Sequence, residues 1–300
     1  MLWNKNFLYG FLLAVFGAIL FSTKAILVKL AFLNLHIDVV SLLFLRMLFS
    51  LPVYVVTVWV INYRTQCKSL TGTQWVKIAL MGLMGYYFSS LFDFIGLQYV
   101  SAGLERVILF LYPCFVLLIN VLVFKQKINK FQILALVLAY TGVFLAFYHE
   151  MYVTTNQAHF YFGATMIFLC ACTYAVYLVG TGKLLQEVGA TRYTALAMLF
   201  ATAGVFAHFL LNRHTSTIVF SASLMGYAFV LALFATVIPS FLISYGMKRI
   251  GSSNVAIIGA IGPVSTIIQA HFLLGEGLSS IQILGNVLVI AGVTIIALKK

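Results

Sequence analysis

Charge is what this chain has least of. Asp, Glu, Lys and Arg make up 8% of its 300 residues, where a soluble domain carries roughly 25%. The hydrophobic share is 63% and the mean hydropathy is +1.08. So few charges cannot cover a water-facing surface, which excludes a soluble globular protein and leaves an integral membrane protein. Acidic residues are rarest: six, against eighteen Lys and Arg, for a formal net charge of +12. The basic excess is not a nucleic-acid patch, because it is scattered through short loops between apolar runs, as topology signals are. The four cysteines (Cys67, Cys114, Cys170 and Cys172) follow no zinc spacing and read as small apolar fillers. The six histidines form no HxxxH or HExxH pair, and GxSxG and phosphate-cradling glycine loops are missing. No metal, no cofactor and no ATP-driven step is therefore expected.

What is present is apolar runs. A membrane-spanning helix needs about 20 mostly apolar residues. Ten stretches qualify, roughly at 7–30, 39–61, 75–98, 102–124, 131–148, 160–182, 193–211, 224–247, 253–274 and 280–298. The apolar runs are continuous rather than alternating, which argues against a strand barrel. The amino terminus reads as a first spanning helix, not a removed signal peptide. An even count puts both termini on one side. With the termini inside, thirteen Lys and Arg flank the inner face and Arg213 alone the outer. The positive-inside rule then makes both termini cytoplasmic, in a multi-pass protein of the cytoplasmic (inner) membrane.

The chain also repeats itself. Shifted by 150 positions, Gly96 falls on Gly246, Pro113 on Pro263 and Gln132-Ile133-Leu134 on Gln282-Ile283-Leu284. Gly142-Val143 likewise falls on Gly292-Val293. The expected units are 1–150 and 151–300, five helices each. An odd number of spans turns the second copy upside down. Accordingly, Phe124-Lys125-Gln126-Lys127 faces Leu274-Gly275-Glu276-Gly277 in the alignment, with the basic bias gone. Inverted repeats are a transporter architecture with the site at the repeat interface. The expected fold class is all-α, polytopic, ten transmembrane helices in two inverted five-helix repeats.

Several runs resemble the EamA-type branch of the drug/metabolite transporter superfamily. They are Phe21-Ser22-Thr23-Lys24-Ala25-Ile26-Leu27-Val28-Lys29, Leu43-Phe44-Leu45-Arg46-Met47, Gly96-Leu97-Gln98-Tyr99-Val100-Ser101-Ala102 and Leu274-Gly275-Glu276. Pro113 and Pro263, in the fourth helix of each half, belong with them. The resemblance spans nearly the whole chain. It departs at Gln126, where the family often has the Glu seen at Glu276. It implies a ten-helix inner-membrane carrier with a central cavity that exports or exchanges amino acids, other metabolites or drugs.

Five charged residues stand inside the apolar runs: Lys24, Arg46, Asp93, Glu105 and Arg106. A charge in a spanning helix costs roughly 2.5–3.5 kcal/mol on insertion scales, so it faces a cavity or a partner. At about 1.5 Å per residue, Lys24 lies about 25 Å from the inner start of its helix, and all five fall in the outer half. Their mates in the second half are Tyr174, Leu196, Ile243, Val255 and Ala256, none of them charged. Pairing, snorkelling and helix anchoring are the structural alternatives to substrate binding. Glu105, Tyr112 and Asn120 are placed on one face of the fourth helix, and Asn254, Ser265 and Gln269 on the ninth. Tyr86, Tyr87 and Tyr245 are further candidates to line a cavity. Lys29 is expected to end the first helix at the interface.

The candidate substrate-binding residues are thus Lys24, Arg46, Asp93, Glu105, Tyr112, Asn120, Tyr174 and Gln269, with Pro113 and Pro263 as kinks. The expected partners are a small-molecule substrate, the lipid bilayer and a coupling ion, with no nucleic acid. The substrate is a small polar metabolite, whose carboxylate would meet Lys24 or Arg46. Anion or phosphorylated-metabolite exchange, a polytopic membrane enzyme and an accessory subunit are the alternatives. Missing catalytic pairs argue against the enzyme, and the near-absence of extramembrane surface argues against the accessory role.

Overall fold

The structure is a computed structural model that describes residues 5–35, 37–64, 69–100, 102–154, 159–211, 221–274 and 280–298. Every secondary-structure element among them is helical. The first-half elements are α1 (Lys5–Leu35), α2 (Val39–Arg64), α3 (Gly72–Gly82), α4 (Ser89–Tyr99), α5 (Ala102–Leu109), α6 (Tyr112–Phe124) and α7 (Lys130–Thr154). Then come α8 (Phe160–Val188), α9 (Ala190–Leu211), α10 (Ala222–Ala232), α11 (Ile238–Ile250), α12 (Ser252–Ile258), α13 (Ile261–Leu274) and α14 (Ser280–Leu298). The Glu276 motif, Cys67, Ser101, Arg213 and the terminal Lys299-Lys300 lie outside the described residues.

Helix is what an apolar run must form in lipid, where only intrachain bonds satisfy backbone N–H and C=O groups. Polar residues set the ends. Thr71 and Gln74 close a capping box at the start of α3: the Thr71 hydroxyl accepts from the Gln74 N–H and the Gln74 side chain accepts from the Thr71 N–H. The Ser221 hydroxyl accepts from Leu224 N–H at α10, and the Asp38 carboxylate accepts from Ser41 N–H at α2. Gly189 (φ 90°) and Gly251 (φ 82°) end α8 and α11 in backbone conformations that favour glycine.

Among the described residues, eight helical stretches are long and apolar enough to cross a membrane: 5–35, 39–63, 72–99, 104–124, 160–182, 190–211, 222–250 and 252–273. Two shorter apolar helices, Lys130–Leu145 and Ile283–Ile295, lie within α7 and α14. The chain is thus an all-helical, multi-pass membrane protein. Four of the predicted spans are not regular helices. A π-helical segment, Leu83–Phe88, joins α3 to α4, and a second, Leu233–Val237, joins α10 to α11 at the same 150-residue offset. The fourth and ninth spans break in two, between α5 and α6 and between α12 and α13. Proline accounts for the first break: Pro113, in the first turn of α6, offers no N–H to the carbonyl four residues back. Pro263 stands equally early in α13. Tight bonds carry the chain across both gaps, Leu111 N–H to Ile108 O at 3.1 Å and Ala260 N–H to Ile257 O at 3.0 Å.

Packing follows the same offset. α1 runs along α11 and α4 along α8, while α2 packs on α9 and α7 on α14. The last pair approaches closely enough to require glycine. A Cβ on Gly142 would sit 2.5 Å from the Gly285 carbonyl oxygen, and one on Gly292 would sit 2.7 Å from that of Ala135. Small residues of this kind let helices meet in a membrane, where lipid is as apolar as leucine.

Candidate functional site

Lys24, Arg46, Asp93, Glu105 and Arg106 are all buried, and the folding of α1, α2, α4 and α5 brings them into one cluster. Lys24 Nζ lies 2.7 Å from Asp93 Oδ2, which joins α1 to α4. Arg106 Nε lies 3.0 Å from Glu105 Oε2, and Arg106 Nη2 donates to the Ser22 carbonyl at 3.1 Å. The Glu105 and Asp93 carboxyls lie near enough to act on one another electrostatically. Arg46 stacks over the Phe94 ring, with its Cζ 5.1 Å from the centroid. Its Nε and Nη2 have no hydrogen-bond partner among the described residues.

A cavity of about 50 Å³ adjoins this cluster. Its wall includes Lys24, Arg106, Tyr112, Tyr174, Phe21 and Pro263, so both halves of the chain contribute. The volume holds a few waters and is too small for a metabolite in this conformation. Aromatic rings tighten it. Tyr174 stands edge-on to Tyr112 at 5.2 Å and stacks on Phe21 at 6.1 Å. The Tyr112 hydroxyl donates across the halves to the Ala256 carbonyl at 3.1 Å. A larger, polar opening of about 440 Å³ lies where α6 ends and α12 begins, lined by Asn120, Gln126, Gln132, Gln186, Ser253 and Asn254, among others. There Asn120 Nδ2 donates to Ser253 Oγ at 3.0 Å and Gln132 Nε2 to Asn254 Oδ1 at 3.1 Å.

The sequence-based candidates therefore separate. Lys24, Tyr112, Tyr174 and Pro263 meet at the cavity. Asp93 and Glu105 stand behind its wall as partners of the lining cations, and Arg46 lies outside the lining, over the Phe94 ring. Asn120 lies in the opening instead, and Gln269 bridges α13 to α1, donating to Ser22 Oγ at 3.2 Å and to Ser265 Oγ at 2.7 Å. Pro113 sits at the helix break rather than in the wall. Glu105 does not share a continuous helical face with Tyr112 and Asn120, because the break at Phe110–Leu111 resets the period between them. Tyr86 turns away to the Tyr177 hydroxyl at 2.9 Å, and Tyr87 to His208 Nδ1 at 3.1 Å. Lys29 does not end α1. Its Nζ donates to the Leu97 carbonyl at 2.7 Å, near the end of α4, where a cation meets the negative end of the helix dipole.

The sequence leaves Arg106 out of the candidate binding residues and reads Cys170 as filler, yet both reach the wall. The signal for the wall was available as helical spacing. Ala14, Ala18, Phe21 and Lys24 recur every three or four residues on α1, as do Cys170, Tyr174 and Leu178 on α8.

Comparison with known proteins places this geometry among transporters. The EamA-like transporter family matches residues 8–148 and again residues 161–298. An uncharacterized transporter of Bacillus subtilis, YcbK, is 32% identical over 283 residues, covering 92% of this chain and 88% of that protein. An uncharacterized transporter of Archaeoglobus fulgidus is 24% identical over 296 residues, 98% of each chain. A crystal structure with 17% identity superposes with a TM-score of 0.76 over 96% of both chains, which is a likeness of fold.

Proposed function

The chain belongs to the EamA-like transporter family and is a membrane transporter, and on that premise we propose that it is a secondary transporter that exports or exchanges a small polar metabolite, or a drug, by alternating access. Two inverted five-helix halves, 1–150 and 151–300, would enclose the path, with both termini cytoplasmic. The duplicated family match, the paired π-helical segments and the paired helix breaks support two equivalent halves. α14, with 19 residues, is about 28 Å long at 1.5 Å per residue, close to the roughly 30 Å hydrocarbon core. Counting α7 and α14 completes ten spans.

One observation carries the reading: a cavity between the halves, walled by tyrosines and by two buried cations, Lys24 and Arg106. Buried charges in a membrane mark substrate or ion paths. The cluster holds three cations against two carboxyls, so a substrate bearing a carboxylate, such as an amino acid or an organic anion, fits its charge. That imbalance also favours anion exchange as a second reading within transport. The small cavity and the polar opening beyond Tyr112 fit a closed state. Transport would widen it by movement at the breaks beside Pro113 and Pro263.

The test is uptake by proteoliposomes from a pooled, labelled metabolite set, with and without internal metabolite. Accumulation of a carboxylate is the expected result. No uptake or exchange of any pool member in monodisperse, folded protein would sink the proposal.

A further inference from the structure

Two carboxyls meet in the cluster, and the transport cycle described so far uses neither. Asp93 and Glu105 are each 0% exposed and near enough to act on one another electrostatically. Buried carboxylates this close tolerate two negative charges only while cations hold them apart electrostatically. Here Lys24 holds Asp93 at 2.7 Å and Arg106 holds Glu105 at 3.0 Å. Both cations also line the cavity. An anion that enters must therefore draw on the same two cations that the carboxyls face.

We propose that Asp93 and Glu105 form a proton site, which takes up one proton when an anionic substrate engages Lys24 or Arg106, so that the proton and the anion cross in the same direction. The inference rests on the transport reading above and adds its coupling ion. The proton comes from water on the side to which the cavity is open and leaves to water on the other side. Between the two it sits in a hydrogen bond from one carboxyl to the other. An anion beside the pair makes protonation easier, and by linkage a proton on the pair makes the anion bind more tightly. A cationic substrate would have the opposite effect and give antiport. For a monocarboxylate the loaded carrier moves no net charge beyond that of the empty one, whose ion pairs are closed again.

Titratable groups act on the pair from four elements. Lys24 faces it from α1, Arg46 from α2 and Arg106 from α5, while Cys170 faces it from α8. Tyr112 and Tyr174 face Arg106 from α6 and α8. Among these groups only the two carboxyls can gain a proton in ordinary operation, since the others are cations, a thiol and phenols.

The first test uses the proton itself as the probe, on purified protein in lipid, and so needs no substrate. Infrared difference spectra across a pH titration should show one buried carboxylic acid forming ahead of the surface carboxylates. Glu105→Gln should remove that band, and Lys24→Met should shift its formation toward neutral pH, because the variant withdraws a cation as a bound anion would. Identical titrations in wild type and Glu105→Gln overturn the proton site. The second test traps a pH dye in proteoliposomes and supplies whichever anion the pooled assay identifies. One proton should enter per anion in wild type, and the ratio should fall toward zero in whatever transport Glu105→Gln retains. Anion entry without acidification in wild type overturns the symport. If no pool member is moved at all, the transport reading fails instead, and the infrared result still decides whether the pair binds a proton.

Discussion

Replacing Lys24 with Met separates a charge that holds the fold from one that holds the substrate. The side chains of Lys24 and Asp93 are 3% and 0% exposed, so the variant strands a carboxylate inside the membrane. Removing one partner of a buried ion pair costs about 3–5 kcal/mol. Arg46 and Arg106 also act on Asp93 and offset part of the loss, which favours the lower end, about 3 kcal/mol. At roughly 2 °C per kcal/mol for a chain this large, that is a drop of about 6 °C in Tm. The double variant Lys24→Met/Asp93→Asn removes both charges, and a buried pair replaced as a unit is often neutral for stability. Thermal unfolding in detergent and a substrate-binding isotherm would be measured on wild type, both single variants and the double. The expected pattern is that the double variant recovers most of the Tm but no binding, because Lys24 Nζ is gone from the cavity wall. An unchanged Tm in Lys24→Met would refute the ion pair. Recovery of both Tm and binding in the double variant would refute Lys24 as a substrate contact.

Further outcomes follow from the same geometry. A reporter fused after Lys300 should read cytoplasmic and one inserted near Gln157 external; the reverse pattern would break the charge logic of the orientation. Neutralising Lys24 or Arg46 should weaken binding far more than changing their mates Tyr174 or Leu196, as binding isotherms on folded variants would show, and equal losses would mean a site built symmetrically. Gly142→Ala places a methyl 2.5 Å from the Gly285 carbonyl oxygen and should cost about 1–3 kcal/mol. Gly226→Ala in α10 meets nothing within 4 Å and should hold or raise Tm, since alanine is the better helix former by about 1 kcal/mol. Equal effects of these two substitutions in thermal melts would contradict the close approach of α7 and α14.

The sequence made the helices, their membrane setting and the family legible, because apolar length and the repeated Gly, Pro and Gln positions survive as one-dimensional pattern. It made the five charges visible and their pairing one alternative, without settling which of them meet. Lys24 and Asp93 are far apart in the chain, and only the packing of α1 on α4 makes them partners. It missed the division of labour around the cavity for a related reason. A continuous helix from 102 to 124 would have aligned Glu105 with Tyr112, whereas the break turned Arg106 to the wall and left Glu105 behind it. The π-helical segments were illegible, since Leu83–Phe88 holds only a single glycine, Gly85, and Leu233–Val237 holds neither Gly nor Pro. Pro239 follows the second one by two positions, and its first-half mate is Ser89.

The contact between α7 and α14 carries a consequence for how such a chain could arise. Gly142 touches the Gly285 backbone while Gly292 touches that of Ala135, so each contact is the other with the halves exchanged. A self-complementary interface of this kind is what two identical subunits make across a twofold axis. In such a dimer every residue serves both sides at once, and a lysine placed beside the path appears twice. Joining the copies in one chain lifts that constraint. One half can then collect all the buried charges, as it does here from Lys24 to Arg106, while the other keeps Tyr174, Leu196, Ile243, Val255 and Ala256 at the matching places.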